Sequence, residues 1–511
     1  MSLAVEPTAR PAAVDEGDPR RSWAAVFALA RFEARDLLRY VPVLSMFAIY
    51  LAYTVWRMWS DYGTDGYPAL QDADRATQSG PVMLVGVALF VCVNRAALRS
   101  RRRGTDRQFD VLVMEPWRRT VGHLLSVVPF VVVTALVVLA DFTSQALRPG
   151  AIGHGSPAEL AVGPLYVLLC GALGLLLARL VPTTFVAPVA VIVLFVFDAV
   201  LSTGQGSAQW SRWLSPVVTE TSSDTLPSDL IGRPAAWHAL YLTGLILLAA
   251  VAAILVAGGR TLPLKAGLAG ALALTLAGAV GQAGGVSPEL AAARERASGN
   301  PRLPCVQREG STYCAFPEWT GRVDDWAGVV NRVRSLAGGT TAERPLVVRQ
   351  RVEARYGLDG NAAISPSTTP GQASVGTHWG GNRVPEFAVG VAAVLVAGDE
   401  SKGGELCDGR VVTLMWLALG SDAHPMATLR NVRLDDSVSG SAIALAPTDP
   451  VSMSAAQTDV VRALLGRPRA QVTASVKRHW SRLTAPGVTT AEVARVLGTE
   501  VPKGAKDCAE E

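Results

Sequence analysis

The chain has 511 residues, 50% of them hydrophobic and only 18% charged, with a formal net charge of +4. That charge is too small to suggest a nucleic-acid partner, and the Arg residues cluster beside apolar runs instead of spreading along one face. The average hides two unlike halves. Between Val41 and Ala283 runs of about 20 residues with almost no charge recur, the length that crosses a ~30 Å hydrocarbon core, and none appears after Gly284.

Residues 1–22 are polar, hold Asp15, Glu16 and Asp18, and lack the apolar stretch of a cleavable signal. They read as a disordered cytoplasmic tail. In residues 23–40, WAAVFALARFEARDLLRY, the apolar Trp23, Phe27, Ala30, Ala34, Leu37 and Leu38 recur at three and four, with Arg31, Glu33, Arg35, Asp36 and Arg39 between them. This spacing predicts an amphipathic helix lying in the inner membrane interface, its Arg heads toward lipid phosphates. Tyr40 and Pro42 mark a break before the first span. A polar extension of that span is the competing reading.

Seven spans are predicted within a transmembrane domain of residues 41–283: 41–59, 80–98, 121–144, 159–180, 183–203, 236–258 and 264–283. Only LVPTT around Pro182 separates the fourth from the fifth, which makes them a tight helical hairpin. The seventh is dominated by Ala and Gly, and Ala269, Ala273, Ala277 and Gly281 form a small-residue stripe suited to close helix packing. Asp198, in VLFVFDAV, is the conspicuous carboxylate in a span and a candidate for the transport path.

The loop after the second span holds Arg95, Arg99, Arg101, Arg102, Arg103, Arg107, Arg118 and Arg119. The positive-inside bias places it in the cytoplasm. Loops 60–79, 145–158 and 204–235 are richer in Asp, Ser and Gly, as the outer side should be. The N terminus is then cytoplasmic, and an odd number of spans sends residues 284–511 outside.

That exported region reads as a mixed α/β soluble domain. Its four cysteines, Cys305, Cys314, Cys407 and Cys508, suit disulfides in an oxidising compartment. Cys305 and Cys314 flank VQREGSTY, a hairpin with a Glu-Gly turn, and Cys407 with Cys508 follows by elimination. The alternative is four reduced thiols in a cytosolic domain. VVRQRVEARY and RVVTLMWLAL have strand-like content, whereas DWAGVVNRVRSL, QTDVVRALL, AQVTASVKRHWSRL and TTAEVARVL have helical spacing. Thr489 and Glu492 read as a capping box. SPSTTPGQASVGTHWGGNRVPE reads as a long loop. No HExxH or GxSxG occurs, no metal set is apparent, and His378 with Glu386 is the one pairing worth following.

Between the Arg cluster and the third span lies DRQFDVLVMEPWRR. Phe109, Leu112 and Val113 share one helical face, with Asp106, Glu115 and Arg118 around them and Pro116 expected to end the segment. A short helix beneath the membrane can dock in a groove of a partner protein. An ordinary positive-inside loop would explain the Arg residues alone.

Together the pattern ARFEARDLLRYVPVL and the segment LVMEPWRR resemble the exporter-type ABC permease family. There, an interfacial elbow helix precedes the first span, and a coupling helix after the second contacts an ATPase. The resemblance covers about residues 23–258; the seventh span and the exported domain depart from the family's minimal form. It implies a multi-pass cell-membrane permease, two copies or halves, and an ATPase subunit on a separate chain that binds ATP and Mg. This chain holds no GxxxxGK[ST] to cradle phosphates, so no cofactor of its own and no enzymatic activity are expected. LSTGQ, Leu201 to Gln205, looks like the ABC signature but falls at the outer end of a span, away from ATP. The competing function is a membrane-anchored exported binding or enzymatic domain.

Overall fold

The structure, a computed structural model, describes residues 19–60, 67–78, 80–105, 114–183, 185–202, 209–217, 225–358, 364–380, 383–432, 442–445 and 450–501. Among the described residues, six helical runs are long and apolar enough to cross a membrane: Val41–Trp59, Leu70–Ala97, Pro116–Ala146, Pro157–Leu180, Ala235–Val256 and Leu262–Ser298. The principal helices of this half are α1 (Pro19–Leu37), α2 (Val41–Trp59), α3 (Leu70–Gln78), α4 (Pro81–Ala97), α5 (Pro116–Leu125), α6 (Val128–Ala146), α7 (Pro157–Leu180), α8 (Val186–Ser202), α9 (Ala235–Val256) and α10 (Leu262–Ala283).

One expectation changes here. The predicted fifth span is α8, only 17 residues long, or about 25 Å at 1.5 Å per residue. It therefore falls short of the other six, yet Asp198 near its far end accepts a hydrogen bond from Ser215 beyond it. Pro116 opens α5; residues 106–113, the segment it was expected to end, lie outside the described residues. The proline's fixed φ and missing N–H suit a first helical turn, where that donor has no intrahelical partner.

Chain order and contacts give the bundle two distinct ends. One end gathers the start of α2, the end of α4 with its Arg residues, and α5. The other gathers the segments that leave α2 and α6 and the segment that enters α9. Helix α2 buries Val43, Phe47, Tyr50, Thr54 and Arg57, and α6 buries Phe130, Thr134, Val138, Asp141 and Gln145, each a stripe at spacing three and four. Phe47 and Phe130 meet at 5.7 Å toward the Arg-rich end. Small residues set the closest crossings: a Cβ on Gly174 of α7 would lie 2.2 Å from the Phe90 carbonyl oxygen of α4, and one on Gly278 of α10 would lie 2.5 Å from the Tyr241 amide of α9.

The stripe predicted on the last span is displaced. Ala269, Ala273 and Ala277 are exposed, and the face that packs carries Ala271, Thr275, Gly278 and Gln282. Spacing of four fixes a stripe but not its azimuth. The Thr275 and Gln282 side chains, both polar, lie on the face that packs against α9.

After α11 (Pro288–Ser298), strands β1 (Cys305–Arg308) and β2 (Ser311–Cys314) form a hairpin. Its positive φ values at Glu309 and Gly310 fit the Glu-Gly turn. Helix α12 (Val323–Leu336) carries the chain over to β3 (Val347–Gln350), and β4 (Gln372–Val375) comes next. The sheet order is β1-β2-β3-β4, with β2, β3 and β4 parallel. Strand β4 and the start of α13 (Arg383–Ala397) lie inside the stretch expected to be a loop.

RVVTLMWLAL is not a strand. It is α14 (Arg410–Gly420), buried at every residue from Val411 to Gly420 and packed on α13. A helix buried all round loses the periodicity that identifies it, so β-branched content misleads there. The helices expected at DWAGVVNRVRSL and QTDVVRALL are present, as α12 and α15 (Ala455–Leu465). AQVTASVKRHWSRL forms α16 (Arg469–Arg478) and a further turn, Trp480–Leu483, divided at His479. Thr489 caps the helix Thr490–Leu497 by accepting from the Glu492 amide. The full reciprocal box, Ser454 with Gln457 at the start of α15, was missed.

Cys305 and Cys314 face each other across the hairpin and are disulfide-bonded. Cys407 is also disulfide-bonded, while Cys508, its expected partner, lies outside the described residues. Beside Cys407, the Asp408 carboxylate accepts from the Arg410 amide at 3.0 Å and the Gly487 amide at 3.0 Å and pairs with the Arg410 guanidinium at 2.9 Å. Burial would raise this carboxyl, but the Arg410 guanidinium and the two amides hold it below its usual value of 3.8. A depressed folded-state pKa contributes stability above the unfolded value and loses it as pH falls through the folded one. Asp408→Asn is therefore expected to cost about 1.5–3 kcal/mol at pH 7. The cost shrinks as melting curves are taken from pH 5 toward pH 2; a constant cost would show that ionisation plays no part.

Candidate functional site

At the Arg-rich end, α1 packs on α5 and on the end of α4. The side it buries carries Val26, Ala30, Glu33, Ala34 and Leu37, while Phe27, Arg31 and Arg35 stay exposed. Glu33 was expected on the polar face; it turns inward instead, where Arg99 reaches it at 3.1 Å. Arg99 also pairs with Asp36, and His123 of α5 approaches Glu33 at 4.0 Å. Burial raises the Glu33 carboxyl above its usual range, opposed by the Arg99 guanidinium. Arg99 thus ties the segment after α4 to α1, and α5 reaches the same Glu33 carboxylate through His123.

The same contact continues through rings. Trp23 meets Trp117 edge-on at 6.4 Å, and Arg118 lies over Trp117 at 5.2 Å while pairing with Glu115 at 3.1 Å. Gly122 allows α1 to close on α5, since a Cβ there would come within 2.9 Å of the Leu29 side chain. Of the expected coupling segment, Glu115, Pro116 and Arg118 are placed by these contacts. Asp106, Phe109, Leu112 and Val113 lie outside the described residues.

The opposite end is covered by the α/β domain. Tyr67, Ile152, Leu226 and Leu230, all from bundle loops, belong to the domain's own hydrophobic core. Arg294 donates to the Leu230 and Ile231 carbonyls at 2.8 and 2.6 Å. The Nε2 of His378 accepts the Thr225 amide at 3.1 Å, and Glu386 pairs with Arg383 at 2.9 Å. Beneath the domain, Arg233 pairs with Glu159 at 3.0 Å and lies 3.9 Å from Asp74.

Sequence reasoning missed the charges inside the bundle. Arg57 of α2 and Asp141 of α6 form a buried ion pair at 2.6 Å. Both were visible as lone charges in apolar windows, and opposite charges on two spans are a pairing signal. Asp198, singled out instead, is held by Ser215.

The fold and its two ends define a bundle of apolar helices of membrane-crossing length with a docked α/β domain at one end and an arginine-tied helix cluster at the other. No protein-family model, no curated protein and no solved structure matches the chain.

Proposed function

We propose that this chain is the membrane-spanning permease subunit of an ABC exporter, driven by ATPase subunits on separate chains that bind ATP and Mg. One observation carries the reading. The amphipathic helix α1 and the segment after the second apolar helix, far apart in sequence, pack together as one arginine-tied unit at the Arg-rich end. A force applied to α5 by a partner would reach α1, α4 and α6 together, which is the mechanical requirement for moving the spans. In this reading the Arg-rich end and the N terminus are cytoplasmic, the domain is outside the cell membrane, and two copies pair in the bilayer. The Cys305–Cys314 disulfide agrees with an oxidising side for the domain.

A plain membrane anchor for an exported binding or enzymatic domain would leave the tie between α1 and α5 without a role. The test is made on the chain isolated from its native membrane with mild detergent. ATPase activity is expected to travel with it. Arg118→Glu, at a partly exposed side chain, should lower the associated activity at least about tenfold, while the chain's melting temperature moves little. Undiminished association in that variant, with the chain folded, would remove the basis of the proposal.

A further inference from the structure

Ligands of α/β sheets commonly bind outside the carboxyl ends of parallel strands. In this domain those ends are stitched by Gln350, whose side chain accepts the Phe316 amide at 2.9 Å and donates to the Gly376 carbonyl at 3.3 Å. Trp319 adds a hydrogen bond to the Thr377 carbonyl at 3.2 Å. Next to them, an aromatic groove of Trp319, Trp326, Trp379 and Phe387, all of one hydrophobic core, is filled by a residue that belongs to the bundle. Tyr67 inserts its ring there, stacked on Trp379 with centroids 6.1 Å apart and planes at 7°. The Arg322 guanidinium lies over the Tyr67 ring at 3.9 Å.

The aromatic rings of the walls come from the domain. Trp379 is wedged against Phe387 at 5.6 Å and Trp326 at 6.5 Å. Its rim is furnished for peptide backbone. Glu318 accepts the Ser228 amide at 3.2 Å, His378 accepts the Thr225 amide, and Arg322 donates to the Pro149 and Gly150 carbonyls. The aromatic face and the cation above the ring match an aromatic side chain, and the two acceptors and one donor, which in this structure hold loops 149–150 and 225–228 and not the chain beside Tyr67, show that the same face takes peptide backbone.

We propose that this groove is a recognition site for an aromatic side chain presented on a peptide backbone, closed in this structure by the chain's own Tyr67. A tyrosine- or phenylalanine-bearing segment of another chain would then compete with Tyr67 and loosen the domain from the bundle loops. The inference stands on the domain's geometry and does not depend on the export reading.

Tyr67→Ala in the full chain empties the slot, and N-acetyltyrosinamide and N-acetylleucinamide serve as probes. The tyrosine probe is expected to raise the melting temperature of the variant by about 3 °C at about ten times its dissociation constant. The leucine probe should leave it unchanged, and the wild-type chain should respond to neither. No rise with the tyrosine probe, or an equal rise with both, overturns the proposal. Should Tyr67→Ala fail to accumulate, Tyr67→Phe and Tyr67→Leu decide the question. They bury similar apolar surface, but only Phe keeps the stack, so Leu should melt about 4 °C lower; equal melting temperatures overturn it.

Discussion

Arg57→Ala is expected to cost about 3–5 kcal/mol of stability, because it leaves the Asp141 carboxylate buried without its cation. The pair is 2% and 5% exposed and lies on the packed faces of α2 and α6, on the same α2 stripe as Tyr50 and Thr54. Charge in such a place is tolerated only when matched. Asp141→Ala should cost as much for the mirror reason. The double variant Arg57→Met with Asp141→Leu removes both charges and keeps the volume, and it should recover most of the loss. Melting in detergent checks this. Arg57→Ala within about 1 kcal/mol of the wild type would show the pair to be solvated rather than buried.

Gly174→Val should cost at least about 3 kcal/mol, at or above the usual range for overpacking. The first added carbon would lie 2.2 Å from the Phe90 carbonyl oxygen, a backbone atom that cannot rotate away. The strain would also displace the Gly174 carbonyl from the Asn94 side chain, which donates to it at 3.1 Å. Gly270→Val, on α10 with no atom within 4 Å of its Cβ, should change stability by less than about 1 kcal/mol. Equal effects at both sites would show that α4 and α7 do not cross so closely.

The apolar half was legible because lipid-length runs have no other common use. Val41–Trp59 coincides with the predicted 41–59, and α7, α9 and α10 begin and end within two residues of theirs. What periodicity could not supply was azimuth. The face of α10 that packs is set by Thr275 and Gly278 meeting α9, and the inward turn of Glu33 is set by Arg99, which lies 66 residues along the chain. Helix α14 was misread because total burial erases the polar face that marks a helix.

Only the C-terminal end of the coupling segment can be compared, through Glu115, Pro116 and Arg118. The docking of the domain was beyond sequence reasoning for a different cause. Tyr67, Thr225 and Gly150 carry no pattern of their own, and each acquires meaning only when a residue far along the chain, such as Trp379 or Arg322, is brought to it.

The two-ended organisation is tested most directly by thiol labelling of sealed cells with a membrane-impermeant maleimide. A cysteine placed at the exposed Arg344 of the domain and one at the exposed Arg102 of the Arg-rich end are compared; the native Cys92 and Cys170 are buried in the bundle. Labelling is expected at position 344 in intact cells and at position 102 only after the membrane is opened. Labelling of both in intact cells would contradict the two-ended arrangement, and the reverse pattern would put the domain inside and contradict the export reading.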